Sequence, residues 1–168
     1  MYHVIVTGSR PVKVGNKFQP MPEDNIRFIR DTLSRLDSTQ YAALYHGMAA
    51  GVDTVVDDYA FNNRIRVRQF PAYWFDPTKE GNVDKRAGLF RNEAMIRAAV
   101  DATYNHPSDV VILLAFHNTK ELKDSRGTAH AVTYANKKGL DVRTFALPVL
   151  KDLTPNATQT TQEQIHPF

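Results

Sequence analysis

The chain has no cysteine. That removes disulfides, zinc–cysteine sites, iron–sulfur clusters and thiol nucleophiles, and it agrees with a reducing compartment. No apolar run approaches the roughly 20 residues of a membrane span, so no membrane partner is expected. Met1 to Val6 shows no charged stretch ahead of an apolar one, so no secretory signal is visible and the expected compartment is the cytoplasm. Charge of neither sign is in large excess: 21 Lys and Arg against 18 Asp and Glu leave +3. That balance admits phosphate-bearing ligands without demanding nucleic acid. Several signatures are missing as well. There is no GxGxxG fingerprint or Walker A loop, which removes the best support for NAD and standard NTPase readings. There is no HExxH or clustered His and Asp pattern, and no GxSxG elbow, so neither a metal nor a serine triad is expected. No cofactor is expected. RNP, helix-turn-helix and zinc-finger signatures are absent, and the basic residues are scattered.

What is present is an alternation of strand and helix signals over residues 1–147, with a Thr-, Gln- and Pro-rich stretch over 148–168 read as a poorly ordered tail. Tyr2 to Thr7 is a β-branched run stopped by Gly8. Residues 10–22 carry Pro11, Pro20, Pro22 and Gly15 and read as a loop. Ile26, Ile29, Leu33 and Leu36 recur at helical spacing. Tyr41 to His46 is a second strand, and Val52, Val55, Val56, Tyr59 and Ala60 mark a second helix. Arg64 to Phe70 alternates as a third strand, residues 71–85 form a long loop with the single tryptophan, and Arg86 to Tyr104 is a third helix. Asp109 to Phe116 is the most apolar run, the pattern of a central parallel strand. A helix over Ser125 to Lys138, stopped by Gly139, and a strand over Leu140 to Phe145 complete the series. The expected fold class is α/β: a Rossmann-like three-layer sandwich with a mainly parallel sheet of about five strands. Asn156-Ala157-Thr158 has the form of a glycosylation sequon, read as chance.

Four segments fall after strands, where open parallel sheets bind ligands. Thr7-Gly8-Ser9-Arg10 offers a close backbone approach, a hydroxyl and a bidentate guanidinium, or is a plain turn. His46-Gly47-Met48-Ala49-Ala50-Gly51-Val52-Asp53 leaves a helix N-terminus uncovered for an anion. Within it, Asp53 either caps the helix or holds a ribose hydroxyl, and His46 packs beside the sheet. The loop Pro71-Ala72-Tyr73-Trp74-Phe75 offers aromatics that stack on a base or pin the loop. In the helix after it, Arg91 and Asn92 lie one turn in. Ser125-Arg126-Gly127-Thr128-Ala129-His130 opens a helix. Ser125 is its N-cap, or Ser125, Gly127 and Thr128 form a phosphate cradle with His130 nearby as a titrating or structural group.

Together these segments resemble the SLOG superfamily, in particular its YspA/YpsA-like group, over Val4 to about Phe145. The family pattern is a strand ending in TGSR, an hGgA-x-GvD turn, a pAdW loop, an AG-x-xRN-x-x-M helix and an S-x-GT-x-h-x-v helix start. Here these stand as Thr7 to Arg10, His46 to Asp53, Pro71 to Trp74, Ala87 to Met95 and Ser125 to Val132. The resemblance implies a domain over residues 1–147 that binds a nucleotide or nucleotide-derived signal. It implies ligand contacts from Thr7, Gly8, Ser9, Arg10, Gly47, Gly51, Asp53, Trp74, Arg91, Asn92, Ser125, Gly127, Thr128 and His130, and pairing as a homodimer. With no effector domain attached, such a chain is expected to act as a sensor or by sequestering the ligand.

The same superfamily includes LOG enzymes, which release a base from a nucleoside monophosphate, and DprA single-strand DNA binders. Arg91 to Met95 is similar to the LOG Arg-Lys-x-x-Met helix, with Asn92 in place of Lys. The LOG acidic residues after the Gly-Thr pair are replaced by Ala129, His130 and Ala131. A glycosidic hydrolase needs a carboxylate. A LOG-like hydrolase acting on a glycosidic or phosphoester bond is therefore the alternative, resting on Arg91, Asp53 and Glu93. A DprA-like DNA reader is the second alternative.

Overall fold

The computed structural model describes residues 1–151. Its first strand, β1 (Tyr2–Gly8), buries Val4, Ile5 and Val6 completely. Chain order then gives a small antiparallel hairpin, β2 (Lys13–Val14) with β3 (Lys17–Phe18), followed by α1 (Glu23–Leu33), β4 (Tyr41–His46), α2 (Val52–Asn62) and β5 (Val67–Gln69). The second half holds α3 (Ala87–Ala102), β6 (Val110–His117), α4 (Arg126–Lys137) and β7 (Asp141–Ala146). The five longer-range strands form one sheet in the order β5-β4-β1-β6-β7, every neighbouring pair parallel. This is the Rossmann-like three-layer sandwich that the alternation implies.

Period-two alternation assigns the two faces. Val4 and Val6 of β1 and Ile112, Leu114 and Phe116 of β6 meet Ile29 and Leu33 of α1 and Val52, Val55 and Val56 of α2. Ile5, Leu113 and Ala115 turn the other way, onto Met95, Ile96 and Ala99 of α3 and Ala131, Val132 and Ala135 of α4. Each fully buried Val, Leu or Ile contributes about 1.5–3 kcal/mol, so these two apolar layers hold the helices on the sheet.

Four details depart from the sequence reading. The middle strand is β1, with the more apolar β6 beside it. The loop over residues 10–22 contains the hairpin, turned by Gly15 at φ +60°. The third strand is confined to Val67–Gln69, because the chain first has to leave α2: Arg64 adopts φ +56° and the Ile65 amide returns to Ala60 O at 2.9 Å. The expected tail begins in contact with the domain. The buried Asn25 side chain donates to Val149 O (3.0 Å) and accepts from Val149 N (2.8 Å), and Lys151 N donates to Asn118 O. The rest of the tail, with its Asn156-Ala157-Thr158 sequon, lies outside the described residues. No helix among the described residues is long and apolar enough to cross a membrane.

Candidate functional site

The strand order reverses direction at β1 and β6. The helix after β1 lies on one face, while the helix after β6 lies on the other, so the chain parts above their carboxyl ends. A cleft of about 460 Å³ opens there. All of the ligand-binding residues expected from the sequence line it, with the exception of Gly51 and His130.

Its floor is a chain of hydroxyls. Ser9 Oγ and Ser125 Oγ are 3.0 Å apart, and Ser125 Oγ donates to Thr128 Oγ1 at 3.0 Å. Ser9 Oγ also accepts from Asn118 N at 3.1 Å, which ties the end of β1 to the segment after β6. Ser125 occupies the N-cap position of α4, yet its side chain makes no capping bond. The first backbone bond of the helix is from Ala129 N to Ser125 O, so the amides of Arg126, Gly127 and Thr128 precede the intrahelical ladder. A Cβ on Gly127 would meet nothing within 4 Å, so the backbone there borders open space.

The other glycines serve packing. A Cβ on Gly8 would stand 2.5 Å from Val52 Cβ, so Gly8 lets α2 close on the strand end. A Cβ on Gly47 would overlap the Arg91 guanidinium. Gly51 sits behind the cleft at φ +100°, where a Cβ would press on Pro11 Cδ and Ser9 O. Its contribution is to the turn and not to the ligand surface.

Asp53 is buried, and its Oδ2 accepts from Gly47 N and Ala49 N, both at 3.0 Å. It therefore pins the loop before α2 instead of capping the helix. Burial raises its pKa above the usual carboxylate value, opposed by the Ala49 amide, by His46 and Arg91, and by the Gly47 amide. Arg91 is turned inward. Its Nη1 donates to Gly47 O and to Phe70 O (3.4 Å), and its Nε donates to Asn92 Oδ1 at 2.8 Å. Desolvation lowers the Arg91 pKa, with Asp53 countering and Arg10 adding to the effect. Asn92 passes the link on, donating to Gly127 O at 3.1 Å, so α3 positions the start of α4. His46 is buried, bonded to Asp57 (3.1 Å) and accepting from Met48 N, and it packs beside the sheet as expected.

Trp74 borders the cleft with its indole edge against α3. A Cβ on Gly88 would lie 3.0 Å from its Cη2. The Arg10 guanidinium sits 5.3 Å from the indole centroid, over one face. Glu93 and His130 face each other between α3 and α4 at 3.3 Å, with Arg97 3.8 Å from Glu93, and neither Glu93 nor His130 lines the cleft. The only carboxylate among the lining residues is that of Asp53.

Sequence reasoning missed Lys85 and Arg126, which line the cleft beside Arg10 and Arg91. Arg126 stands inside a recognised segment. Lys85 ends the long loop with no signal of its own. Arg10, Lys85, Arg91 and Arg126 against Asp53 leave the lining strongly cationic. Leu89 and Met95 add an apolar wall. The arrangement suits a ligand with an anionic part for the hydroxyls, amides and cations and a flat apolar part for Trp74, Leu89 and Met95.

No protein-family model matches the chain, and no curated protein matches it. Among solved structures, the X-ray structure of TM1055, Northeast Structural Genomics Consortium target VT76, is similar, with a TM-score of 0.50 and 20% sequence identity. The match covers 84% of this chain and 72% of that one. At this identity the likeness is one of fold.

Proposed function

We propose that this chain is a SLOG-type binding protein for a nucleotide or nucleotide-derived signal, which it senses or sequesters. The observation that carries the proposal is the meeting, in one cleft, of the Ser9–Ser125–Thr128 hydroxyls, the leading amides of α4 and four cationic side chains. Hydroxyls and helix-leading amides are the donors a phosphate takes, and the cations neutralise it. Arg10 and Arg126 supply most of that charge, since Arg91 already donates to carbonyls. The base lies along Trp74 and Leu89. The resemblance of five segments to SLOG patterns supports the same reading, since all five reach this cleft or its supports.

The test is titration calorimetry with nucleoside mono- and diphosphates, with chromatography of the recovered ligand. Saturable binding with intact ligand is expected, weakened about tenfold, or ~1.4 kcal/mol, in Ser125→Ala. No heat with any nucleotide would refute the proposal.

One observation favours a second reading, hydrolysis. Asp53 is a buried carboxylate in the cleft whose affinity for a proton is raised, as a general acid or base requires. Glu93 cannot share that role from its place between α3 and α4. Release of free base, lost in Asp53→Asn, would identify the hydrolase.

A further inference from the structure

On the α3 side of the sheet lies a hollow of about 370 Å³ that shares no lining residue with the cleft. It opens beside the edge strand β5, toward the amino ends of β1 and β4. Period-two alternation makes it basic. Val67 joins the α2 layer and Phe70 the α3 layer, so Arg66 and Arg68 turn to the α3 face, where both line the hollow. Ala42, Ala43 and Ala102 are its other walls, and such short side chains leave the space beneath the cations unfilled.

The polar groups around it are already fixed. His3 Nδ1 is 2.8 Å from the Tyr45 hydroxyl, and His3 Nε2 is 3.3 Å from Asp109 Oδ2. Asp109 carries the only carboxylate of the lining, and it is held by His3 and by the Met1 amine at 2.8 Å. The Arg68 guanidinium sits 5.7 Å from the Tyr45 ring centroid. Burial raises the Tyr45 pKa, opposed by Arg68 and then Arg66, so both cations face the same hydroxyl. Among the described residues neither arginine forms an ion pair. His106, also exposed, lines the same hollow.

Two guanidinium groups from one strand face start roughly 7 Å apart, and each fork matches a phosphate or a carboxylate. Arg68 covers one face of Tyr45 and Phe70 stacks with the same ring, so the hollow offers no open tyrosine face to a base. We infer that this hollow binds a compact small-molecule anion with two or more acidic groups, phosphate or carboxylate, one on Arg66 and one on Arg68. It is a site apart from the nucleotide cleft and does not depend on that reading.

Inorganic diphosphate and citrate are the probes. Each is titrated into the labelled protein in phosphate-free buffer at constant ionic strength, and amide shifts are followed. Saturable movement of the Arg66, Arg68 and Tyr45 amides with an apparent Kd below about 1 mM is expected for at least one probe. The probe that saturates assigns the acidic groups as phosphate or carboxylate. In Arg66→Gln with Arg68→Gln that affinity should fall about tenfold or more, while nucleotide binding at the cleft is unchanged. Both side chains are exposed, so the double variant should fold. Circular dichroism checks this, and each single variant takes its place if it does not. Movement confined to the Gly127 and Thr128 amides, an apparent Kd above about 1 mM, equal affinity in the variants, or no movement with either probe overturns the anion site. Each of these results leaves nucleotide binding at the cleft to its own test.

Discussion

Asp53 connects the local structure of the cleft to the stability of the whole domain. Its Oδ2 satisfies the amides of Gly47 and Ala49. Asp53→Ala leaves both donors without a partner, and each orphaned donor costs about 1–3 kcal/mol where water is excluded. Gly47 N is bonded in a buried setting, whereas Ala49 N borders the cleft and can recover water. The expected loss is therefore toward the lower end, about 2–3 kcal/mol. At about 2–4 °C per kcal/mol for a chain of this size, the midpoint should fall by roughly 5–10 °C. Asp53→Asn keeps one oxygen for both amides and removes a buried charge, so its midpoint should stay within about 3 °C of the parent. It still raises the charge balance of the cleft. Thermal unfolding followed by far-ultraviolet circular dichroism separates the two. Equal shifts in Ala and Asn variants would refute the view that Asp53 holds the loop by accepting from these amides.

The pH dependence follows from the same residue. Because burial raises the Asp53 pKa above 3.8, the folded state binds its proton more tightly than the unfolded one. Its contribution to stability therefore falls as pH rises from about 3.8 through the raised value, and urea midpoints in Asp53→Asn should lack that slope. Gly8→Ala drives a methyl into Val52 and should cost about 1–3 kcal/mol in urea denaturation. Arg126→Ala should weaken nucleotide binding and flatten its salt dependence in calorimetry without changing the thermal midpoint by more than about 2 °C.

The strands and helices were legible because burial on a two-layered sheet imposes periodicity. Val4, Ile5 and Val6 could be placed from composition alone, and Ile29 and Leu33 from helical spacing. The turns were legible because small residues cluster where helix meets strand end. The reason for each glycine was not. Gly8, Gly47 and Gly51 make room for Val52, Arg91 and Pro11, which are remote from them in the sequence or approach from another element. Arg91 and Asn92 were found, but their bonds to Gly47 O and Gly127 O depend on how α3 crosses the sheet. Lys85 and Arg126 looked like any surface cation. The pairing of Glu93 with His130 across two helices had no local signal at all. The hairpin was hidden because two-residue strands carry no measurable alternation.

The most direct test of the cleft as a nucleotide site is amide chemical shift mapping on the labelled protein as the best-binding nucleotide is added. The expected result is saturable movement of the Arg126, Gly127 and Thr128 amides together with Ser9 and the Trp74 indole, while His3 and Asp109, at the opposite ends of β1 and β6, stay fixed. Shifts confined to the His3 and Asp109 end, or no shift at any nucleotide concentration, would contradict it.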